Sequence, residues 1–138
     1  MSRIRSRDTK PEMLIRSLLH KSGFRFRLHR KDLPGRPDIV LPKWLAVIDV
    51  RGCYWHAHGC HLFQKPQQNA EFWQTKLQAN SARDFENADR LANLGWRHLI
   101  IWECSLRGKR KIEDRQLAGR IDHWLRAGEP SGVIPSKP

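Results

Sequence analysis

Four potential metal ligands, Cys53, His56, His58 and Cys60, stand within residues 52–60, interleaved with Tyr54 and Trp55, and the only other cysteine is Cys104. Zinc takes thiolate and imidazole ligands in a tetrahedron, so three cysteines and one histidine would close a structural site with no thiol left over. Any of His56, His58 and His61 can supply the imidazole. The competing reading is three reduced core cysteines among scattered histidines. The local crowding of ligands argues against it.

A second group of residues suits a different metal. Pro37-Asp38 opens one apolar stretch and Asp49-Val50-Arg51 closes the next, so a hairpin would bring two carboxylates and a cation to one end of a sheet. Oxygen ligands of this kind hold magnesium against a phosphate, where it polarises the phosphoryl group and lowers the pKa of a bound water. The pattern resembles the PD-(D/E)XK nuclease core. Pro-Asp is also an ordinary turn dipeptide. Asp49 is more telling, because a carboxylate after Leu45-Ala46-Val47-Ile48 needs a partner or a metal to offset its desolvation. A strand-end aspartate paired with arginine is the alternative.

A third group lies on a helix. Trp73, Lys76, Asn80 and Asp84 follow one another at spacings of three, four and four, along one face. Such a stripe is most often solvated. Here its chemistry suits DNA: tryptophan wedges between bases, lysine and asparagine read base edges, and aspartate orients a histidine. If His56 is not a zinc ligand, Asp84 could hold its tautomer while it moves a proton at neutral pH.

The elements that must position these groups follow from pattern. Thr9, Pro11 and Glu12 form a capping box ahead of Leu14, Ile15, Leu18 and Leu19, the buried stripe of a first helix ending at Gly23. Phe24, Phe26 and Leu28 alternate with arginines as in a half-buried strand, and Leu33-Pro34-Gly35-Arg36-Pro37 is a rigid turn. Strands are expected over residues 38–41 and 44–50, the second apolar enough to be central. A long helix over residues 70–94, closed by Gly95, leads to a buried strand over residues 97–104. A basic loop, residues 107–111, precedes a last helix with Leu117, Ile121, Trp124 and Leu125 on one side. The stretch from Gly128 onward, rich in proline, glycine and serine, reads as a mobile tail, with the domain itself spanning residues 1–127. This order predicts a three-layer α/β domain with a mixed sheet.

The chain has 138 residues, 26 Lys and Arg against 14 Asp and Glu, and a formal charge of +12. One domain is expected. The charge points to a polyanionic partner, nucleic acid above all, and the basic residues are too scattered for a membrane-binding amphipathic helix. No secretion signal or spanning stretch is visible, which makes a cytoplasmic location the expectation. Six tryptophans exceed what so small a core usually needs.

Taken together, LPGRPD, the strand running into GCYWHAHGC, EFW, the Arg83-Asp84 pair, LGWR and WEC followed by LRG resemble the very short patch repair endonucleases. The likeness extends over about residues 3 to 127. It implies a three-layer restriction-endonuclease-like fold with a central mixed sheet and a structural zinc site, and an enzyme that nicks one strand of DNA at a T:G mismatch left by deamination of 5-methylcytosine. By position, it implies zinc on Cys53, His58, Cys60 and Cys104, leaving His56 as the catalytic histidine with Asp84 as its partner. It also implies magnesium on Asp38 and the backbone carbonyl of Val50, with Glu12 contacting the metal's waters. Tyr54, Trp55 and Trp73 would be the wedge beside the mismatch; Lys76 and Asn80 would read its bases. The implied enzyme is a monomer working on double-stranded DNA, with mismatch-repair proteins as prospective partners. The chain departs from the family at Asp49, where an apolar residue is usual, and so keeps the second acid of the wider nuclease motif. Two other functions fit the residues less completely: a nuclease of the same superfamily with another DNA target, and a non-catalytic zinc module that binds distorted DNA.

Overall fold

The computed structural model describes residues 9–53 and 69–135. The first helix, α1 (Lys10–Lys21), begins where the capping box requires: the Thr9 hydroxyl accepts the Glu12 N–H at 3.3 Å, and the Glu12 carboxylate accepts the Thr9 N–H at the same distance. Ile15, Leu18 and Leu19 are buried along its inner face. The strands β1 (Arg27–Leu28), β2 (Ile39–Leu41) and β3 (Ala46–Arg51) form an antiparallel set. A single 3-10 turn at Pro42–Trp44 joins the last two. The helix α2 (Ala70–Asn93) then leads to β4 (Arg97–Trp102), and α3 (Asp114–Ala127) leads to β5 (Ser131–Ile134). β3, β4 and β5 run parallel, so the sheet is mixed, with its strands in sequence order.

The two faces of the sheet carry different cores. Ile39, Leu41, Ala46, Ile48, Leu99 and Ile101 point to one side, where α1 and α3 contribute Ile15, Leu19, Leu117, Ile121 and Trp124. Val40 and Val47 point to the other, against Leu91 of α2 and Leu33. Helices on both faces of a sheet make the expected three layers. β3 is covered on both sides, which explains its nearly continuous apolar sequence.

Two expectations are corrected. The stretch from Gly128 is not a tail through Pro135: residues 131–134 add a fifth strand beside β4, with Ile134 buried. What the sequence did not reveal is a glycine placed for packing. A Cβ at Gly132 would meet the Trp124 ring at 2.5 Å, so only glycine lets β5 close over α3. The strand expected from Phe24 onward reduces to Arg27–Leu28, which pair with Val40 and Ile39 of β2. Phe24 is still buried, edge-on against Trp44 at 5.5 Å.

Arg97 locks the far edge together. Its guanidinium donates to the carbonyls of Glu129, Trp44 and Trp124 at 2.9, 3.1 and 2.7 Å and lies 4.5 Å from the Trp124 ring centroid. One planar fork thus ties three separate segments.

Candidate active site

The hairpin of β2 and β3 sets Asp38 opposite Asp49, as the register Ile39 to Ile48 requires. The two acids are cross-linked through the backbone. Asp38 donates its N–H to Asp49 Oδ1 at 3.2 Å, and Val50 donates its N–H to Asp38 Oδ2 at 2.7 Å. Glu12, at the amino-terminal turn of α1, stands close enough to add its charge to theirs. It is 3% exposed, and the same carboxylate caps the helix. The capping box and the acid cluster are therefore one structure, and both functions expected of Glu12 are compatible.

Basic groups surround these acids. Arg16 Nη2 lies 3.5 Å from Glu12 and 3.2 Å from His29 Nε2. A guanidinium only donates, so Nε2 accepts and the His29 proton sits on Nδ1, which faces Asp38 Oδ1 at 4.0 Å. On the other flank, His98 of β4 meets Asp49 Oδ2 at 2.8 Å. Burial, with the charges of Asp49 and Glu12 nearby, pushes the Asp38 carboxyl up to about 9. Asp49 is held below its ordinary value, against its burial, by the His98 bond and charge and by Arg51. The site thus keeps one acid as a fixed anion and leaves the other short of positive charge.

A divalent cation fits that shortage. Asp38 is a hard oxygen donor whose ionised form lacks a full counter-charge, and the Val50 carbonyl belongs to the residue whose N–H fixes the Asp38 rotamer. Among the described residues, no three histidine, cysteine or acidic side chains already converge on a common metal position.

The other expected residues divide between the described and undescribed parts of the chain. Tyr54, Trp55, His56, His58, Cys60 and His61 lie outside the described residues. Cys53 and Cys104 are both buried, each two residues beyond the paired ends of β3 and β4, Arg51 and Trp102. The Cys53 N–H points to the Glu103 carboxylate at 3.4 Å, which joins the two segments directly. On α2, Trp73, Asn80 and Asp84 are half-buried while Lys76 is exposed, its ammonium 5.3 Å from the Trp73 ring centroid. Three of the four stripe residues are thus partly covered. The stripe adjoins Leu77 and Leu91, the residues that α2 buries. Asn80 accepts from Arg83 at 2.7 Å, and these two with Asp84 and Asn87 line an open cleft.

Sequence reasoning missed Arg16, His29 and His98. Only His98 left a signal: a histidine directly ahead of the apolar run Leu99-Ile100-Ile101, which must find a polar partner once buried.

A mixed sheet between helical layers, with an acid pair at one end of a central hairpin, fits the restriction-endonuclease-like class of nucleases. Comparison with known proteins narrows the class. Residues 1–62 match the family model described as DNA mismatch endonuclease Vsr. The chain is 45% identical to the DNA mismatch endonuclease Vsr of Escherichia coli, over 91% of its own length and 80% of that protein's. It is 49% identical to the type II nicking enzyme V.XorIIP of Xanthomonas oryzae, over 83% and 85% of the two chains. With V.NmeAIP, a type II nicking enzyme of Neisseria meningitidis, it shares 39% identity over 83% and 82%. The chain belongs to the Vsr family of DNA mismatch endonucleases. No helix among the described residues is long and apolar enough to cross a membrane.

Proposed function

We propose that this protein nicks one strand of double-stranded DNA at a T:G mismatch produced by deamination of 5-methylcytosine, in a magnesium-dependent reaction. The observation that carries the reading is the Asp38 carboxyl, aligned by the Val50 N–H and crowded by Glu12 and Asp49. Family membership and the charge of +12 support DNA as the substrate.

Magnesium held by Asp38 and the Val50 carbonyl would supply positive charge against the negative charge that develops on the phosphate during cleavage. Asp38 and Val50 fix where that charge can sit. Glu12, anchored by Thr9, orients water beside them. His56 takes a proton from the attacking water, and Asp84 holds the histidine tautomer that accepts it. Tyr54, Trp55 and Trp73 enter the duplex beside the mispair, where unstacking is cheapest, and Lys76 and Asn80 read the exposed edges. The half-burial of Trp73 and Asn80 on a face rimmed by the Asn80–Asp84 cleft supports that use of α2.

Zinc on Cys53, His58, Cys60 and Cys104 would tie the segment after β3 to the end of β4. Support comes from the burial of Cys53 and Cys104 and from the Cys53 to Glu103 bond that joins their segments. Elemental analysis of purified protein should find one zinc per chain. Retention of full stability after complete zinc removal would count against it.

The test of the reaction is nicking of labelled duplexes carrying each mismatch, in magnesium or in chelator. T:G duplexes should be nicked in magnesium alone. Asp38→Ala should bind them without nicking. Equal cleavage of fully paired DNA would replace the mismatch reading with a nuclease of another target.

A further inference from the structure

The acid at position 49 is used in a way that its place in the sequence does not suggest. Neither oxygen of its carboxylate is idle: Oδ1 accepts the Asp38 N–H at 3.2 Å and Oδ2 meets His98 Nε2 at 2.8 Å. A carboxylate accepts, so His98 carries its proton on Nε2. His98 is 7% exposed and comes from β4, so its bond reaches Asp49 across the β3–β4 pairing. From Asp49 the chain of bonds continues to the Asp38 backbone, just ahead of β2, and returns through the Asp38 side chain to the Val50 N–H on β3. β3 and β4 are thereby clasped to the residue that leads into β2.

Such a clasp fixes the plane of the Asp49 carboxylate. Magnesium demands near-ideal octahedral geometry, and a carboxylate held from two sides by protein donors is poorly able to turn toward it. We propose that His98 and Asp49 are a positioning pair: His98 fixes the Asp49 carboxylate, Asp49 holds the backbone of Asp38, and Asp49 is not a second metal ligand. This rests on the reading of Asp38 as the residue that serves cleavage. Partners that orient a ligating side chain commonly matter by roughly 10- to 100-fold in activity when removed.

Four variants separate a clasp from a ligand. In Asp49→Asn the amide oxygen still accepts the Asp38 N–H, and the amide N–H donates to Nε2 of a His98 that has moved its proton to Nδ1. The clasp persists with weaker, uncharged bonds, and kcat should fall by no more than about fivefold. Asp49→Ala and His98→Leu each break it and should lower kcat roughly 10- to 100-fold, with KM for the nicked duplex unchanged. The double variant should be no worse than the poorer single one. His98→Gln, which can still donate, should recover part of the loss. Thermal unfolding of each variant reports whether it folds.

Amide hydrogen exchange at Asp38 gives a readout independent of activity. Protection should persist in Asp49→Asn and drop at least tenfold in Asp49→Ala and His98→Leu. Magnesium affinity, measured by calorimetry on DNA-free protein, should be nearly the same in Asp49→Asn as in the wild type. A collapse of that affinity would overturn the proposal and make Asp49 a ligand. Unchanged Asp38 exchange in His98→Leu would overturn it from the other side. Were the wild type inactive on T:G duplexes, exchange and calorimetry would still decide the clasp, and only the reading of the reaction would fail.

Discussion

Replacing Asp38 by asparagine should stabilise the metal-free protein while abolishing nicking. The wild-type carboxyl is raised from 3.8 to about 9 by burial and by the charges of Asp49 and Glu12. The sign follows from linkage: stability that the protonated group contributes is complete below pH 3.8 and is lost as pH rises toward 9. At pH 7, some three units above the unfolded value, the cost approaches about 4 kcal/mol at 1.36 kcal/mol per unit. The side chain retains 17% of its exposure, and water there screens part of this. Asparagine has no charge to desolvate and its oxygen can still accept the Val50 N–H. A gain of about 2–4 kcal/mol is therefore expected at pH 7 in chelator, a rise in Tm of roughly 8–15 °C. The assay is urea and thermal unfolding of both proteins from pH 5 to 8, where the gap should widen by up to about 1 kcal/mol per unit. Asp49 does not confuse this window, because its lowered pKa gives stability that is lost only on acidification through the folded value, below its ordinary 3.8. Millimolar magnesium should restore the wild type and leave the variant unchanged. Parallel pH profiles, or a variant less stable than the wild type at pH 7 in chelator, would refute the account of a charge-starved carboxylate.

Two further predictions concern the scaffold. Arg97→Ala removes donors to three carbonyls and the contact with Trp124, and should cost about 2–4 kcal/mol in urea unfolding, with little recovered in Arg97→Lys because an ammonium cannot fork; a loss under about 0.5 kcal/mol would contradict the lock. Gly132→Ala forces a methyl group against the Trp124 ring and should cost about 1–3 kcal/mol, seen as a lowered Tm and faster amide exchange in β5; an unchanged Tm would mean that β5 is not packed on α3 as described.

The sequence by itself determined what depends on near neighbours. The Thr9 to Glu12 capping box, the stripe of Ile15, Leu18 and Leu19, the stop of α2 near Gly95 and the inward side of α3 are set by interactions within a few residues, and the structure matches each. The hairpin that opposes Asp38 and Asp49 was legible for the same reason, since a single turn at Pro42–Trp44 joins its strands. Tertiary structure decided the rest. His98 lies 49 residues from Asp49, and no periodicity encodes their meeting, which follows from the parallel register that places Leu99 beside Ile48. Arg16 reaches the acids from α1, beside Glu12, whereas His29 is set there from the end of β1, where its N–H donates to the Asp38 carbonyl at 3.3 Å. β5 has too little apolar pattern to announce a strand: Ser131, Gly132 and Val133 carry weak local preference, and they pair because β4 offers an open edge and Gly132 leaves room for Trp124. Short-range steric and hydrogen-bonding rules write the elements into the chain. The electrostatic identity of each carboxylate, with Asp49 a held anion and Asp38 an acid in want of a cation, arises only where burial and distant charges meet.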